Sequence, residues 1–225
     1  MSARIDHLVT SGTFSLDGGT WEVDNNVWIV GDDSEVIVFD PAHSPEAVVE
    51  AVAGRTVRAI VLTHGHDDHI RAVAETQRLL GGPPVLLNPE DRVLWDMVYP
   101  DTEPDEDLSD GQELTVAGVA LRAIHTPGHS PGSTCFYAEF GLSAAGLPGV
   151  DAAGEMPVLL SGDTLFQGGP GATGRSYSSF DTIIESISEK LFTLPGETVV
   201  LTGHGDATRI GEEKPHLQEW IDRGE

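Results

Sequence analysis

The chain has 225 residues, with 12 Lys and Arg against 37 Asp and Glu, a formal charge of −25 and an isoelectric point near 4.4. At 39% hydrophobic it is long enough to bury a substantial core, which argues against intrinsic disorder. Its acidity argues against nucleic acid and anionic membrane as partners.

One cysteine, Cys135, excludes an internal disulfide and a metal cage made of thiolates. The N-terminal residues show no leader pattern and no apolar run reaches the length of a membrane span, so a cytoplasmic location is expected. Of the cations, 10 are Arg and 2 are Lys, a bias ascribed to codon composition or a salty habitat before any binding role.

In chain order, residues 27–30 and 36–39 flank the turn signal Gly31-Asp32-Asp33-Ser34 and read as a hairpin. Pro45 to Ala53 reads as a helix, and 57–63 as a continuous buried strand. Asp67 to Leu80 has helical spacing, ended by Gly81-Gly82-Pro83-Pro84. A short strand at 85–87 and a helix from Pro89 to Val98 precede an acidic loop, Pro100 to Gly111. Strands follow at 113–117, 120–125, 134–138 and 157–161, then a helix at 180–191, a strand at 198–202 and a last helix near 213–222. The Gly- and Ala-rich stretch 139–156 reads as a surface loop. With no repeat and no linker, residues 1–225 are expected to form one mixed α/β domain.

Histidine carries the chemistry: nine are present, and three of them fall in THGHDDH (63–69), directly after the buried strand. Residues two apart in an extended segment face the same way, so His64 and His66 project together, while Asp68 and His69 stand where the next helix begins. Three imidazoles and a carboxylate at the carboxyl end of a strand form a metal-binding pattern. Three later segments repeat the plan: His129 in HTPGHSPGS (125–133), Asp163 in VLLSGDTLF (158–166) and His204 in VVLTGHGD (199–206) each follow a strand and have glycines close by.

This ordered set resembles the metallo-β-lactamase fold superfamily of metallohydrolases, over about residues 8 to 205. The resemblance implies a four-layer αβ/βα sandwich with the site at one edge, between two sheets. It also implies one metal on His64, His66 and His129, a second on Asp68, His69 and His204, and Asp163 bridging them. Two Zn2+ ions suit such nitrogen and carboxylate donors, with iron or manganese fitting the same set. GDTLFQGG (162–169) together with THGHDDH is similar to the glyoxalase II group, which cleaves thioesters of small thiols. The bridging Asp163 argues against true β-lactamases, and His66 argues against flavodiiron proteins, which have Glu there.

The implied reaction is hydrolysis of a thioester or ester, with Asp68 as acid/base and Asp40 orienting a ligand imidazole. Arg175 and Tyr177 are candidates for binding an anionic substrate tail. The chain stops 21 residues after His204, short of the helical domain with which glyoxalase II holds glutathione, so the thiol carrier stays open. A mononuclear iron persulfide dioxygenase, a lactonase and a metal-dependent regulatory protein remain alternatives. His125 reads as a packed histidine, His43 as either a residue at the pocket mouth or a plain loop residue, and His7 and His216 as surface residues. Residues 169–176 lack the lysine of a phosphate loop, and no GxSxG elbow is present.

Overall fold

A computed structural model describes residues 3–150 and 154–224. The strands are β1 (Ala3–Leu16), β2 (Gly19–Gly31), β3 (Glu35–Phe39), β4 (Thr56–Val61), β5 (Val85–Leu87), β6 (Glu106–Asp107), β7 (Glu113–Val116), β8 (Val119–His125), β9 (Thr134–Ala138), β10 (Leu142–Ser143), β11 (Val158–Gly162), β12 (Leu165–Phe166), β13 (Gly169–Pro170), β14 (Val199–Thr202) and β15 (Thr208–Arg209). The helices are α1 (Pro45–Val52), α2 (Asp67–Ile70), α3 (Val73–Leu79), α4 (Arg92–Val98), α5 (Phe180–Glu189), α6 (Ile210–Glu213) and α7 (Leu217–Arg223).

Two mixed sheets face each other, one ordered β10-β1-β2-β3-β4-β5-β6 and the other β15-β14-β11-β9-β8-β7. Side chains alternate across each strand, so every central strand serves two cores. Trp28, Val30, Ile37, Phe39 and Val61 of the first sheet meet Leu121, Phe136, Leu160 and Leu201 of the second. The intervening residues Ile29, Val38, Ile60 and Leu62 pack outward on Val48, Val52, Val73 and Trp95 of α1, α3 and α4. On the other outer face Cys135, Leu159 and Val200 pack on Ile183 and Ile187 of α5 and Trp220 of α7. The result is the expected αβ/βα sandwich.

Several elements differ from the sequence reading. β1 and the first half of β2 form a long hairpin, pairing from Arg4↔Gly31 to Leu16↔Gly19, where no strand was expected before residue 27. Its outer half is only partly buried, so no apolar alternation marks it. The helix expected over 67–80 is two, broken at Arg71 and Ala72. The Tyr99 hydroxyl plugs the break: it receives the Ala74 N–H and faces the carbonyls of Ile70 and Arg71.

The stretch 139–156 is not wholly a surface loop. β10 within it pairs parallel to Ala3 and Arg4, and Leu142, Ala144 and Leu147 enter the core between the sheets; residues 151–153 of that reading lie outside the described residues. The acidic loop 100–111 likewise contributes β6, which extends the first sheet. The last helix is divided into α6, a 3-10 turn at Lys214–His216, and α7. His7 is half-buried rather than on the surface: it stacks on Trp28 with ring centroids 4.3 Å apart and bonds Asn26 at 2.8 Å. His216 is exposed, as expected.

Among the described residues no helix is long and apolar enough to cross a membrane.

Candidate metal centre

The carboxyl ends of β4, β11 and β14 and the loop joining β8 to β9 converge at one edge of the sandwich. Their side chains form two groups whose potential donor atoms lie within 4.8 Å of one another, His64, His66 and His129, and Asp68, His69 and His204; a third such grouping, Asp40 with His64 and His69, lies behind them and shares a member with each. Asp163 faces both, with Oδ1 3.4 Å from His69 Nε2 and Oδ2 3.3 Å from His204 Nε2 and 3.6 Å from His129 Nε2. The seven residues singled out in the sequence therefore meet at one place.

Hydrogen bonds from behind orient the rings. His69 Nδ1 donates to Asp40 Oδ2 at 3.0 Å, His129 Nδ1 to the Ala172 carbonyl at 2.9 Å, and His204 Nδ1 to the Asp24 carbonyl at 2.7 Å. The Thr63 hydroxyl donates to Asp40 Oδ2 at 2.6 Å and so accepts from His64 Nδ1 at 3.1 Å. In each of these four imidazoles the Nδ1 proton is fixed and Nε2 is left to the centre, the arrangement that metal-binding histidines require. His66 turns Nδ1 to His129 Nε2, 3.0 Å away. Asp40, expected to orient an imidazole, accepts from His69 Nδ1 and also fixes the strand end through Thr63 N at 2.8 Å.

Electrostatics divide the site. Burial, aided by neighbouring imidazoles, holds His64 well below its ordinary value and His66 at about 3, so both are neutral. Burial opposes charge on His69 and His204 too, but Asp68 and Asp163 outweigh it, raising His69 well above its usual value and His204 to about 10. Burial alone would raise Asp68, yet His69, His204 and Asn25 bring it down to about 2; His204 and His69 likewise hold Asp163 well below the usual carboxylate range. His64 and His66 thus stay neutral, while the negative charge of Asp68 and Asp163 favours a proton on the His69 and His204 side.

Metal fits here on the structure's own terms. His64 Nε2 and Asp163 Oδ1 are buried and have no hydrogen-bond partner, a costly state for protein atoms alone. Imidazole nitrogens 3.0 and 3.2 Å apart at His66–His129 and His69–His204 converge as donors to a shared cation do.

A cavity of about 230 Å³ opens onto the centre, lined by His66, Asp68, His129, Asp163 and His204 and walled by Phe14, Val23, Phe166 and Arg175. Arg175 lies over Trp21, 3.8 Å from the ring centroid, and 5.1 Å from that of Phe14. Tyr177, expected beside it, is exposed and does not line the cavity. His125 is a packed histidine bonded to the Pro131 carbonyl, as read. His43 is buried beneath Gly12 of β1 and does not reach the cavity.

Three contributors were not singled out in the sequence. Asn25 is fully buried and donates to Asp68 Oδ2 at 3.0 Å; Phe14 comes from the unread hairpin; Asp91 lies just ahead of α4. Asp24, Asn25 and Asn26 stand just ahead of the apolar run 27–30, so a register for β2 would have pointed to Asn25.

Residues 20–141 match the Metallo-beta-lactamase superfamily, and the chain belongs to that superfamily of metal-dependent hydrolases. It is 33% identical to the probable metallo-hydrolase YqgX of Bacillus subtilis (strain 168), over 81% of this chain and 85% of that protein. It is 27% identical to the hydroxyacylglutathione hydrolase GloC of Haemophilus influenzae, over 81% and 86%. Among solved structures it resembles TTHA1623 in a di-iron-bound form, with a TM-score of 0.67, 29% identity, and coverage of 85% of this chain and 93% of that one.

Proposed function

We propose that the protein is a binuclear metal hydrolase, with zinc the first choice of ion, that cleaves a thioester or ester of a small molecule such as an acyl conjugate of a low-molecular-weight thiol. His64, His66 and His129 would hold one ion and Asp68, His69 and His204 the other, with Asp163 between them. The observation that carries this reading is the pair of donor groups facing one carboxylate at the floor of an open cavity. When bound, the ions supply an acidified water and a Lewis acid for the carbonyl oxygen.

The chain's own groups do the rest. Asp68 is pinned at Oδ2 by Asn25 and lies 3.2 Å from His204 through the same oxygen, so Oδ1 takes up and returns the proton. Phe14, Val23, Phe166 and Ala172 give the acyl and thiol carbons an apolar wall. The Arg175 guanidinium, with no acid within ion-pair distance among the described residues, receives an anionic group of the substrate at the cavity edge. The likeness to GloC supports a thioester.

His66→Ala and Asp163→Ala are expected to abolish metal-dependent thioester and ester hydrolysis in protein that circular dichroism shows to be folded. Retained activity in both would overturn the site assignment.

A further inference from the structure

Asp91, fully buried at the entry to α4, neither lines the cavity nor belongs to either donor group. Both its carboxylate oxygens are taken by other loops. Oδ2 accepts the Gly65 N–H at 2.8 Å and the Ser130 hydroxyl at 2.7 Å, and Oδ1 accepts the Gly132 N–H at 2.6 Å. Gly65 lies between His64 and His66, and Ser130 follows His129. One side chain therefore ties together the two loops that carry all three residues of one donor group.

The approach is close enough to dictate the sequence around it. A Cβ on Gly132 would lie 2.7 Å from Asp91 N and 2.8 Å from Asp91 Cγ, and one on Gly65 would lie 3.0 Å from the Asp91 carbonyl oxygen. Among the described residues no cation lies within ion-pair distance of Asp91, so a carboxylate is buried on neutral donors alone. Filling space would be cheaper with an apolar side chain. What the carboxylate supplies is three directed bonds across two loops.

We propose that Asp91 is the positioning residue of the His64/His66/His129 group, setting the distance between its two loops and hence the affinity of that group for its ion. The inference rests on the reading above that both groups hold metal. The Asp68/His69/His204 group is held instead by Asp40, Asn25 and the Asp24 carbonyl, and none of its three side chains bonds Asp91.

The test is competition for Zn2+ against a chromogenic chelator, at a temperature where circular dichroism shows every metal-free protein folded. Wild type is expected to take two ions. Asp91→Asn puts a donor where an acceptor stood, and is expected to weaken one site by roughly 10–100-fold while the other stays within about twofold. Ser130→Ala removes one of the three bonds and weakens the same site by about fivefold. In the Asp91→Asn, His129→Ala double variant the losses are expected not to add, because both fall on one site. A purely structural role would lower the melting temperature of the metal-free protein and leave the ratio of the two affinities unchanged. That result, or equal weakening of both sites, overturns the proposal; if Asp91→Asn does not fold, Ser130→Ala decides by the same criteria. A wild type that binds no zinc instead overturns the underlying reading, and with it this one.

Discussion

Gly203→Ala probes the centre without replacing any donor residue. A Cβ at Gly203 would lie 2.1 Å from Asp163 Oδ1 and 2.9 Å from His69 Cε1. To move from 2.1 Å to even a 3.0 Å contact the carboxylate must retreat by about 0.9 Å. A misplacement of roughly 1 Å at a reacting centre costs on the order of 10²-fold in rate. Overpacking costs about 1–3 kcal/mol of stability, too little to unfold a domain of ordinary stability. The variant should therefore fold, bind metal more weakly and lose about 10²-fold in kcat/KM on a thioester that wild type hydrolyses. Gly205→Ala, two residues on, is the control. Its Cβ would meet no atom within 4 Å, and its φ of +69° costs roughly 1–2 kcal/mol in stability without moving Asp163. The assays are steady-state hydrolysis and chelator competition on both variants. Activity and metal affinity within twofold of wild type for Gly203→Ala would refute the placement of Asp163 at the centre.

The metal-free protein should be most stable near pH 6.5. Above that, the stability that His204 gains from being raised from 6.5 to about 10 is lost as pH rises through 10, and His69 acts in the same sense. Below it, the unfolded chain protonates His66 from 6.5 downward while the folded protein holds it neutral to about 3, and the contribution of Asp68 disappears between 3.8 and about 2. Thermal melts across pH in the presence of chelator check this, and a maximum beyond pH 8 would contradict it. Arg175→Ala should raise KM roughly 10–100-fold for a thioester carrying a carboxylate and leave a neutral ester unchanged; equal losses on both would remove Arg175 from substrate binding.

Much of the centre was legible because each donor follows a strand and the chemistry is local. THGHDDH places four candidates in seven residues, and His129, Asp163 and His204 each sit at a strand end with glycines close by. The central strands were legible for a similar reason: buried on both faces, they read as unbroken apolar runs. What was not legible is long-range or polar. β1 is half-exposed and shows no alternation, so the hairpin that brings Phe14 to the cavity and Trp21 to Arg175 went unread. Asn25 and Asp91 act through partners 43 and 41 residues away in Asp68 and Gly132, and no local spacing marks them. The break after α2 depends on a tyrosine hydroxyl 25 residues further along the chain.

The most direct test of the central claim is metal content measured on the same preparation as turnover of glutathione, mycothiol and coenzyme A thioesters. About two divalent ions per chain, with hydrolysis that chelation abolishes and metal restores, is the predicted result. A single iron per chain with oxygen consumed on a persulfide, or metal-loaded protein inert on every ester and thioester, would contradict it.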